Sequence, residues 1–214
     1  MGALPKEQEE RYFTYADYKE WDLDEGERYE LIYGEAFAMS GPNTKHQVIF
    51  REIFGQFYNY LNGKPYQVFY APYDVRLFYE EDDSDDTVVQ PDIMVICDKN
   101  KIGPEGCRGA PDLIIEILSP SNTAIEMARK FKVYRQAGVR EYWIVDSENN
   151  GLTVYCFKDD TIFTNTYGGA ETVPVAIFPG LNIALEQVFP EELSRRHSGT
   201  EITAEDKEIK DGIA

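Results

Sequence analysis

The stretch Val88-Val89-Gln90-Pro91-Asp92-Ile93-Met94-Val95-Ile96, followed by Pro111-Asp112-Leu113-Ile114-Ile115-Glu116-Ile117-Leu118-Ser119-Pro120-Ser121, decides how this chain folds. Each apolar run holds a carboxylate, and Lys130 comes soon after on a segment with helical spacing. A carboxylate buried in an apolar strand costs on the order of several kcal/mol unless it is paired or ligates a metal. Two such strands side by side predict a cation site.

Working outward, residues 113–118 form a continuous apolar run broken only by Glu116, which predicts a strand buried on both faces. Ser119-Pro120-Ser121-Asn122 reads as a turn, with Ser121 or Asn122 the expected N-cap of a helix that runs to about Ala137 and stops at Gly138. Met127, Phe131 and Tyr134 share one face, Lys130 lies at its shoulder and Lys132 at the opposite shoulder. Residues 141–146 give the next strand. Residues 152–157 and 162–167 give a hairpin around Asp159-Asp160, and 173–177 and 181–185 give short additions.

Upstream, Thr14 caps a short helix with Asp17 in its first turn. Residues 28–39 read as two strands around a Tyr33-Gly34 turn, with Glu30 inside the first, where an exposed position is as good a reading as a buried one. A helix from His46 to Leu61 ends at Asn62-Gly63, and its first-turn histidine is more readily a surface or supporting group than a ligand. Strands follow at 67–71, 75–79 and 88–96, with Arg76 polar and outward between Val75 and Leu77. The run Glu80, Glu81, Asp82, Asp83, Asp85 and Asp86 predicts a solvated hairpin tip. The expected organisation is an N-terminal tail (1–13), one α/β or α+β domain (14–190) and a polar C-terminal tail (191–214).

Composition narrows the function classes. With 214 residues, 43% hydrophobic and 14% aromatic, the chain can bury a sizeable core. It has no membrane-spanning run, no signal-peptide pattern, and Lys6 where a myristoylation motif has Ser or Thr. Cys97, Cys107 and Cys156 form no C-x-x-C pair and read as reduced thiols of a cytoplasmic protein. A net charge of −18 argues against broad affinity for nucleic acid.

The string from Pro111 to Asp146, with Val89-Gln90-Pro91-Asp92, Lys130, Tyr134 and Gly138-Val139-Arg140-Glu141-Tyr142-Trp143, resembles the Uma-two family of candidate restriction endonucleases, within the PD-(D/E)XK nuclease superfamily. Tyr29-Glu30-Leu31-Ile32-Tyr33-Gly34-Glu35 and His46 match its pattern too. The resemblance implies a restriction-endonuclease-like core, a mixed central sheet flanked by helices, carrying an extra N-terminal hairpin and C-terminal strands. Its core elements would be the His46 helix, the strands at 67, at 75 with 88, and at 113, the Lys130 helix and the Trp143 strand. It also implies a catalytic set of Glu30, Asp92, Glu116 and Lys130, with Mg²⁺ (Mn²⁺ as substitute) held by Asp92, Glu116 and the Ile117 carbonyl. The lysine that the superfamily places two residues after the glutamate is Leu118 here, and the resemblance implies that Lys130 takes that part, with Lys132 its rival. The implied partner is DNA, in a homodimer by analogy. A nuclease-fold binding protein without catalysis is the alternative, and a smaller phosphate ester a third reading.

Overall fold

The computed structural model describes residues 12–120 and 122–189. Residues 1–11, Ser121 and the tail from 190 onward lie outside the described residues. Phe13, assigned from sequence to the N-terminal tail, is buried with its ring 5.3 Å from that of Trp21.

Helix α1 (Tyr15–Tyr18) starts where Thr14 donates its N–H and Oγ1 to Asp17. Strands β1 (Tyr29–Ile32) and β2 (Glu35–Ala38) make the expected hairpin, and Tyr33 and Gly34 take φ of 51° and 76°. Positive φ at both central residues gives a turn whose twist suits paired strands. Helix α2 (Thr44–Leu61) is capped by Asn43, which accepts the His46 N–H at 2.9 Å. There follow β3 (Gln67–Tyr70), β4 (Val75–Arg76), β5 (Val88–Val89), β6 (Ile93–Ile96), β7 (Cys107–Arg108) and β8 (Leu113–Leu118). Helix α3 (Ala124–Ala137) ends at Gly138, φ 91°. It leads to β9 (Glu141–Asp146), the hairpin β10 (Gly151–Lys158) and β11 (Thr161–Gly168), then β12 (Thr172–Pro174), β13 (Asn182–Ala184) and α4 (Leu185–Val188).

The main sheet has the order β11-β10-β9-β8-β6-β3, with β8 and β9 parallel and the other pairs antiparallel. Alternation along its strands sorts the core into two. Ile93, Val95, Leu113, Ile115, Ile117, Trp143 and Val145 pack against Ile49, Ile53 and Phe57 of α2. Met94, Ile96, Ile114, Tyr142 and Ile144 face Val133 and Tyr134 of α3. Glu116 shares the parity of Ile114, so the period of two delivers its carboxylate to the α3 face. A second sheet, β2-β1-β5-β4-β7, supplies Ile32, Val75 and Val89 to that same core.

Several expectations are corrected. Residues 88–96 are not one strand. Pro91 has no N–H to give a ladder, and the chain leaves the second sheet after β5 and joins the main sheet as β6. The core strand beside β8 is therefore β6, not the pair at 75 and 88. Nor does Arg76 face solvent or the acidic run form only a solvated tip. Arg76 is buried between the rings of Tyr15 (3.9 Å) and Tyr79 (4.4 Å), and it pairs with Asp85 and, at 2.9 Å, with Asp83. The N-cap of α3 is Thr123, reciprocally bonded with Glu126, while Asn122 accepts from Ser119 in the preceding turn.

Candidate active site

Glu116 projects from the middle of the main sheet, where mainly apolar neighbours leave it only 9% exposed. α3 supplies what solvent cannot. Lys130 and Tyr134, one turn apart on one face, both reach Glu116 Oε1: Lys130 Nζ at 3.0 Å and the Tyr134 hydroxyl at 2.5 Å. The Lys130 ammonium also contacts Glu30, 2.9 Å from Oε2 and 3.0 Å from Oε1. Glu30 comes from β1 of the second sheet, so this lysine ties the two sheets together. All three residues are buried. Among the described residues, Glu116 Oε2 has no hydrogen-bond partner.

The crossing segment between β5 and β6 carries the other half. The Gln90 N–H donates to Glu30 Oε1 at 2.9 Å. Two residues on, Asp92 Oδ2 accepts the Ile117 N–H at 2.7 Å, and Asp92 Oδ1 lies 3.2 Å from His46 Nε2. The bond to Ile117 pins Asp92 to the strand that carries Glu116. His46 is buried, and its Nδ1 has no hydrogen-bond partner among the described residues.

Glu30, His46, Asp92, Glu116, Ile117 and Lys130 line a single cavity of about 440 Å³. Its electrostatics follow from burial. Burial pushes the Glu116 carboxyl up; the Lys130 ammonium opposes this, while Glu30 and Asp92 add to it, and the net position is about 7. Burial alone would drive Lys130 down, but Glu116 and Glu30 hold it well above the usual lysine range. Burial raises the Tyr134 phenol far above its ordinary value, with Glu116 and Glu30 adding to the rise. The lysine therefore stays an ammonium and the tyrosine a hydroxyl donor at neutral pH. Lys130 can steady negative charge or donate to a water, and it cannot serve as a base there.

The structure thus brings together Glu30, Glu116 and Lys130, with Asp92 on the same cavity. Lys132 is exposed, its ammonium 5.7 Å from the Tyr33 ring centroid. Ile117 takes part through its N–H. Tyr134, expected only on the packing face, shares one carboxylate oxygen with Lys130, four positions before it. His46, expected as a surface or supporting group rather than a ligand, supports Asp92. The cap signal Asn43-x-x-His46 fixes its place in the first turn, but nothing local reveals that this turn faces Asp92.

Comparison with known proteins agrees with this architecture. The model of the family Uma2, described as "Putative restriction endonuclease", matches residues 15–186. Two proteins of Synechocystis sp. are similar to the chain and both are described as uncharacterized. One, slr1290, is 26% identical over 145 residues, 67% of this chain and 74% of its own length. The other, sll1609, is 27% identical over 139 residues, 64% of this chain and 76% of its own. A crystal structure from Anabaena variabilis, described as "a putative nuclease belonging to DUF820", superposes with a TM-score of 0.66 at 20% identity, covering 83% of this chain and 97% of that one. The fold is the restriction-endonuclease-like α+β fold expected from the sequence. A mixed sheet between α2 and α3, a carboxylate-lysine cluster at its seam with a second sheet, and a family match spanning 15–186 lead to one conclusion: this chain belongs to the Uma2 family.

Proposed function

We propose that this protein is a metal-dependent DNA endonuclease that hydrolyses phosphodiester bonds with a metal-activated water, and that Glu30, Asp92, Glu116 and Lys130 are its working residues. One observation carries the reading. Three carboxylates, Glu30, Asp92 and Glu116, line one cavity with a single buried ammonium, Lys130, among them. The charge left over is negative, and burial, with Glu30 and Asp92 adding to it against the pull of Lys130, holds Glu116 near 7 rather than near 4.5. A divalent cation on that cavity is the natural complement. Among the described residues no three His, Cys, Asp or Glu side chains form a protein-only metal cage. Mg²⁺ does not require one, since it binds through one or two carboxylates and keeps several waters. Asp92 and Glu116 would hold it, with the Ile117 backbone beside them and Mn²⁺ as a substitute. When bound, such an ion neutralises phosphate charge and lowers the pKa of its water.

The chain's own groups have definite parts in this scheme. Tyr134 and Lys130 occupy one oxygen of Glu116 and leave Oε2 to the cavity. The Ile117 N–H and His46 fix Asp92 from two sides. Glu30, anchored by the Gln90 N–H, keeps Lys130 charged and in place. That ammonium would orient the attacking water or stabilise charge on the phosphate in the transition state.

The assay is plasmid cleavage with Mg²⁺ or Mn²⁺. Asp92→Ala and Glu116→Ala are each expected to abolish it, and variants cutting as fast as wild type would remove the assignment. A nuclease-fold binding protein without catalysis is the second reading, and the cavity's charge favours it. Its lining holds three cations, Arg28, Arg129 and Lys130, against four carboxylates, Glu30, Asp92, Glu116 and Glu126. Other arginines add nothing to this lining: Arg51, Arg108 and Arg135 point elsewhere, to Glu52, to the Tyr79 ring and to the Asp160 carbonyl. DNA binding without cleavage in any divalent metal would support that second reading. A homodimer and a cytoplasmic setting remain part of the proposal by analogy; no described helix is long and apolar enough to cross a membrane.

A further inference from the structure

One side of α2 carries an aromatic stripe that runs from the edge of the core, where Phe50 and Phe54 pack against it, out to exposed Tyr58. Phe50, Phe54 and Tyr58 recur at every fourth residue and stack in sequence, with ring centroids 5.6 and 6.1 Å apart and interplanar angles of 16° and 21°. Tyr70 of β3 stands edge-on to the first two, at 5.6 and 5.1 Å. Tyr58 and Tyr70 are 54% and 52% exposed. The stripe is continuous with the candidate site, because Phe50 and Tyr70 line the cavity that holds Asp92 and Glu116.

Phosphate-directed binding has little to work with at this cavity. Lys130 is held by Glu30 and Glu116. Arg129 pairs with Glu35 at 3.2 Å and lies over the Phe37 ring at 4.3 Å. Arg28 is the one lining cation without a charged partner among the described residues. The whole chain carries −18. A polyanion drawn to this cavity must be held by something other than charge. Aromatic faces supply it: bases stack on them whatever their identity, provided the bases are unpaired.

We propose that the substrate of this site is single-stranded DNA, or a locally unpaired segment, whose bases stack on the Tyr70 and Phe50-Phe54-Tyr58 surface beside the carboxylate cluster. The proposal rests on the nuclease reading for its chemistry but not for its binding test. Duplex DNA hides its base faces and offers mainly phosphates, for which this cavity has few partners. Binding should therefore depend weakly on salt. With about one or two phosphates neutralised, the logarithmic slope is expected at about −0.7 to −1.4.

The test is equilibrium binding of a fluorescent oligo(dT) and of a duplex of equal length to the full chain, in Ca²⁺ and in EDTA. The single strand should bind at least about tenfold more tightly than the duplex. Tyr58→Ala and Tyr70→Ala should each weaken it by roughly fivefold to a hundredfold, and Tyr70→Phe should restore it. Both tyrosines lie outside the buried clusters, so their truncation leaves the fold intact. Equal or tighter duplex binding overturns the proposal, as do alanine variants that bind like wild type. So does a wild-type dimer that Tyr58→Ala dissociates without changing oligonucleotide affinity, which would make the stripe a contact between copies. Plasmid cleavage by a wild type that binds no single strand sinks this inference and leaves the nuclease reading standing. Single-strand binding without cleavage of any DNA does the reverse.

Discussion

Replacing Glu116 with Gln should make the metal-free protein more stable above neutral pH. Gln keeps an oxygen for the Lys130 and Tyr134 donors and never acquires the charge that burial penalises. The wild-type carboxyl moves from an ordinary 4.5 to about 7 on folding. The native state therefore holds this proton more tightly than the unfolded chain does. The stability that Glu116 contributes is fully present below about pH 4.5 and is lost as pH rises through about 7. At 1.4 kcal/mol per unit, that loss is about 3 kcal/mol. Urea unfolding in EDTA, on wild type and Glu116→Gln at pH 4.5 and pH 8, reads it directly as a difference of differences. The variant should gain about 3 kcal/mol on wild type between the two pH values. Adding Mg²⁺ at pH 8 should then raise the stability of wild type and not of the variant, because a ligand that binds only the folded state stabilises it. A stability difference that stays constant to within about 0.5 kcal/mol across this range would refute the picture of an overcharged cavity.

Other substitutions probe neighbouring contacts. Lys130→Met should abolish plasmid cleavage and cost about 3–5 kcal/mol at pH 8, where two carboxylates lose their shared cation, and clearly less at pH 5; chemical denaturation at the two pH values measures it. Tyr134→Phe removes the hydroxyl that stabilises the Glu116 carboxylate, so the pH midpoint of the stability loss should move upward by about one unit. Arg76→Ala should destabilise by about 3–5 kcal/mol, since it strands the buried Asp85 carboxylate, and a thermal melt will register it. Glu141→Ala deprives the Trp143 indole and the Ile177 N–H of their acceptor, at an expected cost of about 2–3 kcal/mol with no effect on cleavage.

Much of this architecture is written locally. The Glu116 strand could be read because an unbroken apolar run with one carboxylate has few ways to fold, and parity alone chose the face that carboxylate meets. The Tyr33-Gly34 turn and the Thr14-Asp17 cap are likewise short-range choices. The Thr123-x-x-Glu126 capping box is a local signal too, and it outcompetes Ser121 and Asn122 upstream as the start of α3. What local pattern could not supply is which strands share a sheet. Pro91 marks the break between β5 and β6, yet nothing nearby says that the two halves join different sheets. The burial of Arg76 depends on Asp83 and Asp85 folding back over it, and an acidic run at that spacing resembles a solvent-facing tip. His46 meets Asp92 only because α2 and the crossing segment pack on the same end of β8.

The seam between the two sheets has a consequence for how the protein comes into being. Glu30 and Lys130 are one hundred positions apart, and Lys130 bridges the sheets by holding Glu30 and Glu116 at once. A nascent chain that has emerged only as far as β8 owns every carboxylate of the cluster and none of its cation. If Lys130 is a working residue, as proposed, the chemistry of the cluster is withheld until α3 has been synthesised and docked. A cell making this protein would be shielded from an activity in unfinished chains without any separate inhibitor, because the last piece of the centre arrives with the last piece of the seam.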